Sequence, residues 1–333
     1  MIDSSIKILN DLRYENGLFA ASSKMGSTGY DKAWLRDNVY SSLGLEKTDT
    51  RAVVRTFRCI LDILLKHEYK IDWMIKDPDP KLRFRYIHAR FHPEKLTELH
   101  DEWGNKQNDS IGAILWKIGE LESKKIKVIR NMDDLRIIEK LVTYLAVIEY
   151  WHDADNGMWE ESEEIHASSV GACVAGLKKI SKIVYVDRLL IAKGEETLNR
   201  LLPRESQSKA VDLALLSLIW PYRVVSEKQK LQILKNVEGN LVRSRGVARY
   251  LGDQYYNKDG EAEWTMGFPW LALIYRDMNN PAKYAEYLLK TIDVTNKKGE
   301  LPELYFANSE EHNENSPLGW AQSLFVLAAE DIL

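Results

Sequence analysis

The chain has 333 residues, of which 45% are hydrophobic and 29% are charged, so it is long enough for one large globular domain or two ordinary ones. Its formal net charge of −4 provides no basic field for binding nucleic acid or an anionic lipid surface. Ten Trp and sixteen Tyr residues are many for this length, and they suit either a sugar-binding cleft or a large helical core.

Most of the chain has the apolar periodicity of amphipathic helices, with hydrophobic residues recurring every three or four positions. Ser4 and Ser5 are predicted to cap a first helix. Short strands are expected only within 70–100 and 246–260. The count is about twelve helices, with strong apolar stripes at 53–65, 111–118, 135–148 and 170–180 and further helices near 187–202, 208–219, 226–241, 264–278, 281–295 and 318–333.

About twelve helices without a Pro- or Ser-rich linker predict one all-α domain over residues 1–333. Two arrangements suit such a chain: a superhelical repeat array, or a ring of six helical hairpins that forms an inner and an outer barrel. We find no fixed-period repeat motif, which argues against the array. The uneven insertions between helices favour the ring, with a binding face built from loops.

Cysteine usage and the N-terminal sequence indicate the cellular setting. Cys59 and Cys173 lie in apolar helical stretches, so we expect buried thiols rather than a disulfide or metal site. Residues 1–7 lack the basic start and apolar stretch of a signal peptide, and no segment approaches the roughly 18 apolar residues of a membrane span. The sequence predicts a cytoplasmic protein that needs no metal or organic cofactor, with no nucleic-acid or membrane partner. The oligomeric state stays open.

Five clusters that combine aromatic rings with acidic residues lie at successive helix junctions. A pair of carboxylates on aromatic-rich loops suits glycosidic bond cleavage, because one acid protonates the leaving oxygen while one base activates water. An aromatic ring also shields a carboxyl group from solvent and offers an apolar face to a sugar. The clusters supply two candidate catalytic residues, Glu160 and Glu303, and the candidate sugar-binding residues Trp34, Arg36, Asp37, Trp103, Asp109, Trp159, Glu161, Arg249, Glu263, Trp270, Tyr305 and Trp320.

Several of these residues also have a structural interpretation. Asp37 beside Arg36 suits the first turn of a helix, where a carboxylate complements the helix dipole, but the pair also suits a grip on sugar hydroxyls. Asp109 is equally suited to be the N-cap of the helix that follows it. A single Glu beside a Trp is more often a solvated surface pair, whereas five such clusters in succession are harder to explain in that way.

The five clusters, in their order along the chain, resemble glycoside hydrolase family 15, the glucoamylase family, and also the amino-terminal domain of the phosphorylase kinase α and β subunits. Four short motifs are especially close to the pattern of the kinase subunit. They are WLRDNVY (34–40), HASSVG (166–171), LPRESQSK (202–209) and LPELY (301–305). The resemblance extends from about residue 14 to the end of the chain. The fold that it implies is an all-α (α/α)6 barrel, in agreement with the helix count.

The resemblance also implies roles for individual residues. It makes Glu160 the general acid and Glu303 the general base, and it assigns Arg36 and Asp37 to the non-reducing glucose. Trp103 matches a ring that lines a subsite. Arg249 and Glu263 fall near positions that bind sugar hydroxyls, although the alignment there is loose.

The implied activity is inverting hydrolysis of an α-glucoside, with β-glucose released from the non-reducing end of a malto- or isomalto-oligosaccharide. Two alternatives remain open: an α,α-trehalase of the same family, which needs the same two acids, and a non-catalytic glucan-binding or regulatory module like the kinase domain. The presence of both carboxylates favours catalysis. Prokaryotic members commonly carry an amino-terminal β-sandwich domain, and we expect none within these 333 residues.

Overall fold

The computed structural model describes residues 1–26, 28–99 and 104–330. Within these ranges it contains thirteen α-helices, four two-residue strands, and two short 3₁₀ helices at 83–85 and 213–215. The helices are α1 (Ile2–Leu12), α2 (Leu35–Leu43), α3 (Thr50–Lys66), α4 (Glu68–Lys76), α5 (Asn108–Ser123), α6 (Met132–Val147), α7 (Ala167–Ile180), α8 (Arg188–Leu201), α9 (Leu216–Ile219), α10 (Glu227–Asn240), α11 (Gly267–Asp277), α12 (Pro281–Asp293) and α13 (Gly319–Ala329), and the strands are β1 (Ala33–Trp34), β2 (Arg90–Phe91), β3 (Glu263–Trp264) and β4 (Leu304–Tyr305).

Six helices form a closed inner ring. Each contacts the next in the order α2, α5, α7, α9, α11 and α13, and α13 returns to α2. The other helices pack around them, with α1 on α13, α3 on α2, α6 on α5, α8 on α7, α10 on α9 and α12 on α11, while α4 packs on α6. The alternation of inner and outer helices confirms the predicted (α/α)6 barrel.

The inner and outer helices differ in how their side chains are buried. All nine residues of α2 are buried, because an inner helix has neighbours on every side. Outer helix α3 instead carries one apolar stripe and keeps a polar face in solvent. Glycines permit the close packing of α5 on α7: a Cβ on Gly112 would lie 2.3 Å from the carbonyl carbon of Ala172, and one on Gly176 would lie 2.5 Å from the Gly112 oxygen.

Two small antiparallel ribbons fix the segments that enter the inner helices. Strand β1 pairs with β2 just before α2, and β3 pairs with β4 just before α11. The second ribbon brings Glu303, the residue before β4, close to the start of α11. There the Thr265 N–H donates to the Glu303 carbonyl oxygen at 3.2 Å. The ribbons therefore connect chain segments that are distant in sequence at one end of the ring.

Two predicted helix starts differ from the structure. Helix α1 begins at Ile2 with Met1 as its N-cap, so Ser4 and Ser5 lie inside the helix and do not cap it. Helix α5 begins at Asn108, which places Asp109 in the first helical turn and makes Gln107 the N-cap.

The helix predicted at 208–219 is also wrong over its first five residues, 208–212. Only the 3₁₀ turn 213–215 and the four residues of α9 are helical there. The polar residues before the 3₁₀ turn form hydrogen bonds outside the segment: Lys209 bonds to Glu161, and Asp212 bonds to Trp159. Of the two expected strand regions, 70–100 contains β2, whereas 246–260 contributes only isolated bridges.

Both cysteines are buried and free, as expected. None of the helices in the described ranges is long and apolar enough to cross a membrane.

Candidate active site

A cavity of about 370 Å³ opens where the inner helices begin. Its walls come from the loops that precede α2, α5, α7, α11 and α13 and from the segments around Tyr255 and Glu303. Nine of the predicted site residues line it: Trp34, Arg36, Asp37, Trp159, Glu160, Glu161, Arg249, Glu303 and Trp320. The other lining residues are Ala21, Tyr30, Gly104, Met158, Tyr255, Trp264, Met266 and Leu318.

Two of the predicted aromatic residues lie behind the cavity wall. Trp270 is completely buried, and its indole N–H donates to the Trp220 carbonyl oxygen at 2.8 Å. The Tyr305 hydroxyl donates to the Val294 carbonyl oxygen at 3.0 Å. Both rings therefore pack against protein, because the helix and the strand that carry them direct them away from the opening.

Two of the predicted polar residues support the wall from behind. Glu263 Oε2 accepts from the Arg245 N–H at 2.6 Å and so holds the loop before β3. Asp109 is 2% exposed, and its Oδ2 lies 3.1 Å from Arg36 Nη1, so it contacts the cavity only through Arg36. Trp103, the remaining predicted residue, lies outside the described residues.

Glu303 is only 1% exposed, and three side chains donate hydrogen bonds to its carboxylate. The Tyr30 hydroxyl donates to Oε1 at 2.7 Å, and the Asn315 amide donates to Oε2 at 2.8 Å. Asn313 also donates to Oε2. Burial raises the pKa of Glu303 above its ordinary value, against the effect of these hydrogen bonds, which favour the carboxylate. A carboxylate accepts about four hydrogen bonds, so Oε1 retains room for one more donor.

Glu160 lies in a loop whose backbone conformation is unusual. Its φ is +63°, in the left-handed region that non-glycine residues rarely adopt and that costs on the order of 1–3 kcal/mol. The carboxylate Oε1 accepts from Arg36 Nη2 at 3.2 Å and from Gln107 Nε2 at 2.9 Å. Gly104 packs on the same loop, since a Cβ there would lie 2.6 Å from the Glu160 carbonyl oxygen.

Asp37 differs from the other carboxylates of the cavity because it lacks side-chain hydrogen-bond donors within the described residues. It is 8% exposed, and no side chain in the described ranges donates a hydrogen bond to it. Burial raises the pKa of Asp37 to about 7; Arg36 opposes this shift, and the negative charges of Glu160 and Glu303 add to it. The backbone N–H of Asp37 also opposes the shift, and a buried carboxyl group with no side-chain donor is uncommon in native proteins. The position of Asp37 on the wall therefore indicates that a ligand supplies the missing donors.

A network of charged side chains is centred on Arg249 and Glu161, which both line the cavity. Arg249 Nη2 lies 2.8 Å from Glu161 Oε1, and its Nε lies 2.7 Å from Asp253 Oδ2. Glu161 Oε2 accepts from Lys209 Nζ at 2.8 Å and from the Tyr250 hydroxyl at 2.7 Å. Burial alone would raise the pKa of Glu161, but Arg249, Lys209 and Tyr250 outweigh it and lower the pKa. Glu161 is therefore an anion that fixes the orientation of Arg249.

Aromatic rings form the remaining wall. The Trp159 and Trp264 centroids are 5.5 Å apart, and the Arg249 guanidinium lies over both rings at 5.4 and 5.2 Å. The indole N–H groups of Trp264 and Trp320 are buried and have no hydrogen-bond partner within the described part of the chain. Apolar ring faces beside unpaired donors suit a pyranose ring, which presents C–H faces and hydroxyl edges.

Several residues of the site were not predicted from the sequence. Tyr30, Asn313 and Asn315 hold Glu303, and Gln107 holds Glu160. Tyr30 stands at the start of the first aromatic cluster, which was its only signal. The two asparagines follow the LPELY motif in a polar stretch that resembles an ordinary surface loop.

No group of three His, Cys, Asp or Glu side chains in the described ranges is arranged to hold a metal ion.

Comparison with known proteins identifies the relatives of this chain. The model for glycosyl hydrolases family 15 matches residues 3–186, more than half of the chain. The phosphorylase b kinase regulatory subunit alpha, skeletal muscle isoform, of Oryctolagus cuniculus is 25% identical over 380 residues, which cover 90% of this chain and 30% of that protein. The chain thus spans about 30% of the length of the curated relatives that it matches.

Solved structures share the fold at lower sequence identity. A structure described as wild-type glycosidase superposes with a TM-score of 0.87 and 19% identity, covering 99% of this chain and 95% of that chain. A bacterial glucoamylase complexed with acarbose superposes with a TM-score of 0.73 and 15% identity, covering 98% of this chain and 54% of that chain. These similarities establish the barrel.

Proposed function

This chain belongs to glycosyl hydrolases family 15, and we propose that residues 1–333 form one catalytic domain that hydrolyses α-glucosides with inversion. The proposed substrates are malto- or isomalto-oligosaccharides, from whose non-reducing ends β-glucose is released. One observation carries the proposal: Glu160 and Glu303, from distant segments, line the same aromatic cavity. Two carboxyl groups that flank a glycosidic bond are the minimum that this chemistry requires.

Glu303 is the proposed general base. Tyr30, Asn313 and Asn315 fix both of its oxygens, and the remaining position on Oε1 accepts a proton from the attacking water. A base is most effective when its pKa is near the working pH, and burial raises the pKa of Glu303 in that direction. The water then attacks the anomeric carbon from the face opposite the leaving group.

Glu160 is the proposed general acid. Its Oε1 accepts from Arg36 and Gln107, and these two contacts hold the carboxyl group at the cavity wall. Proton transfer to the leaving oxygen contributes about 10²–10⁴-fold in rate. Arg36 also joins the acid to Asp109, which keeps the guanidinium in place while the charge on Glu160 changes during the reaction.

Asp37 and the indole N–H groups of Trp264 and Trp320 are the proposed contacts to the terminal glucose. Asp37 accepts from sugar hydroxyls, while the two indoles donate. The two indole N–H groups have no partner within the described residues, no side chain there donates to Asp37, and a sugar is rich in both donors and acceptors. Recognition of a chain end in this way makes the enzyme exo-acting.

The proposal is tested by a panel assay of glucose release from maltose, isomaltose, trehalose and dextrin. Release from maltose, isomaltose or dextrin supports a glucoamylase-like activity. Release from trehalose alone establishes the second candidate of the same family, the α,α-trehalase. No release from any of the four substrates, by folded protein, contradicts both hydrolase assignments.

The phosphorylase kinase relatives favour a third candidate, a non-catalytic glucan-binding or regulatory module. Such a module would bind maltose or dextrin at the same cavity without releasing glucose. Calorimetric titration with maltose, run beside the panel assay, separates it from an inactive preparation. Binding without hydrolysis, weakened by Asp37→Asn, would establish the module.

A further inference from the structure

The left-handed backbone of Glu160 needs support from its surroundings. Such a conformation persists only where neighbouring contacts over-determine it. The turn supplies part of that support, because the Glu161 N–H donates to the Asn156 carbonyl oxygen at 3.0 Å. Further support comes from the two residues that flank Glu160, since both have their side chains anchored to other segments.

Both flanking residues are anchored to the same short segment. On one side, the Trp159 indole N–H donates to Asp212 Oδ1 at 2.8 Å. On the other side, Lys209 Nζ donates to Glu161 Oε2 at 2.8 Å. Glu160 is thus held between two anchored neighbours.

The same segment contacts the loop at two further points. The Ser208 N–H donates to Glu164 Oε2 at 3.0 Å, and Glu205 accepts from the Ser168 N–H at 3.1 Å. Residues 205–212, here named the brace segment, therefore contact the chain from Trp159 to Ser168 at four places. Part of the brace segment is the LPRESQSK motif, to which the proposed mechanism assigns no task.

Asp212 makes the most specific of these contacts. It is 0% exposed, and its Oδ1 also accepts from the Ala214 N–H at 2.7 Å, which fixes the carboxylate to the 3₁₀ turn that follows. Lys209 is largely buried, and its Nζ lies over the Tyr250 ring at 3.9 Å from the centroid. Neither residue lines the cavity, so neither contacts a substrate there.

We propose that Asp212 and Lys209 are positioning residues, which hold Trp159 and Glu161 and thereby place the Glu160 carboxyl group for proton donation. The proposal rests on the assignment of Glu160 as the general acid. Loss of this positioning should lower the reaction rate more than the substrate affinity, because catalysis depends on geometry more steeply than binding does. A displacement of about 1 Å caused by a remote change can reduce turnover about 10²-fold.

The test compares Asp212→Ala, Asp212→Asn and Lys209→Met with a capping control, Asp187→Ala. Asp187 accepts from the Leu189 N–H at 2.9 Å at the start of α8, so its removal also deletes an aspartate cap but lies away from the loop. Turnover of maltose is measured as kcat and KM. Amide hydrogen exchange of the peptide 155–164 reports on the loop and requires no activity.

We expect Asp212→Ala to lower kcat about 10- to 100-fold, with KM changed by less than about threefold, and to speed exchange in 155–164. Asp212→Asn keeps an acceptor oxygen for Trp159 and should restore most of kcat. Lys209→Met should have a smaller effect, because Arg249 and Tyr250 still hold Glu161. Asp187→Ala should change neither readout.

Unchanged kcat and unchanged exchange in folded Asp212→Ala would overturn the proposal, as would an equal effect from Asp187→Ala. If Asp212→Ala does not fold, Lys209→Met decides by the same two readouts. If the wild-type protein hydrolyses nothing, the proposed function fails. Faster exchange of 155–164 in the Asp212 and Lys209 variants alone would still support the brace, and unchanged exchange would overturn it.

Discussion

The two ends of the inner ring carry opposite charges for the same electrostatic reason. At one end the N-termini of the inner helices surround Asp37, Glu160 and Glu303. At the other end the helix C-termini border a second cavity, of about 520 Å³, whose lining includes Lys117 and Lys124. Helix dipoles favour anions at N-termini and cations at C-termini, so each end has the sign that stabilises the fold.

The ends differ in whether these charges are paired within the protein. Lys117 is 1% exposed on its side chain and bonds to both Glu46 and Glu120, and Lys124 contacts the same two acids at 2.6 and 2.9 Å. At the N-terminal end, by contrast, Asp37 has no side-chain donor in the described ranges. Charges that pair internally stabilise the barrel, whereas a buried carboxyl group without a side-chain donor indicates a ligand.

The largest expected effect comes from the two proposed catalytic carboxylates. Glu160→Gln and Glu303→Gln should each lower kcat at least about 100-fold, with a far smaller change in sugar binding, because the amide keeps the shape but cannot exchange the proton. Steady-state turnover of maltose measures the effect. Glu120→Gln, at the other end of the ring, is the matched control and should leave kcat unchanged. Full activity in either active-site variant removes that residue from the mechanism.

Asp37→Asn should weaken binding of glucose or an acarbose-type inhibitor by roughly 1.5–3 kcal/mol, the usual value of a charged hydrogen bond. Both kcat and substrate affinity should fall, since the same contacts orient the ring for attack. Calorimetric titration beside a thermal melt separates this effect from helix capping. A capping role predicts about 1 kcal/mol of lost stability with unchanged sugar affinity.

Lys117→Met should produce the opposite pattern. Removing the ammonium leaves Glu46 and Glu120 with Lys124 alone, so we expect a loss of about 1–3 kcal/mol in the free energy of unfolding. Because Lys117 lies at the far end of the ring, kcat and KM should not change. Urea denaturation and maltose turnover of the same preparation check both statements. A change in kcat at unchanged stability would show that the two ends are coupled.

The stability of the protein should also depend on pH through Asp37. Burial raises the pKa of Asp37 from 3.8 to about 7, so between these values the unfolded chain loses a proton that the folded protein keeps. The contribution of Asp37 to the free energy of unfolding therefore falls as pH rises from about 4 to 7, by about 4 kcal/mol, and Asp37→Asn lacks this contribution. Denaturation curves from pH 4 to 8 measure it. Parallel pH profiles for wild type and variant would contradict the assigned environment of Asp37.

How far each helix could be predicted depended on whether its buried residues are apolar. The outer helix α3 has a single apolar stripe from Val53 to Leu64, which its sequence displays directly. The inner helix α2 is entirely buried, but five of its nine residues are polar, so apolar periodicity could not define it. The wrong helix at 208–212 has a different cause. Lys209 and Asp212 form hydrogen bonds with a loop that is distant in sequence, and local apolar periodicity does not reveal such contacts.

The site was predictable where its residues carry family motifs. Glu160, Glu303, Arg36 and Asp37 were found in this way, and the structure places all four on one cavity. Tyr30 could not be identified as a partner of Glu303, since 273 positions separate them and only folding joins them. Trp270 was predicted to bind sugar but lies behind the cavity wall. Its position at a helix start does not indicate the direction in which its ring points.

We propose that Glu160 and Glu303 form an inverting site for α-glucosides. Time-resolved proton NMR of a methyl α-maltoside digest tests this most directly, because free glucose then comes only from the non-reducing unit and its anomeric signal reports hydrolysis and stereochemistry together. An inverting enzyme releases the non-reducing unit as β-glucose, so we expect the β-anomeric signal to rise first. The α-glucose signal from this unit should appear only later, through mutarotation. Early release of α-glucose from the non-reducing unit would contradict inversion, and the absence of glucose from folded protein would contradict hydrolysis.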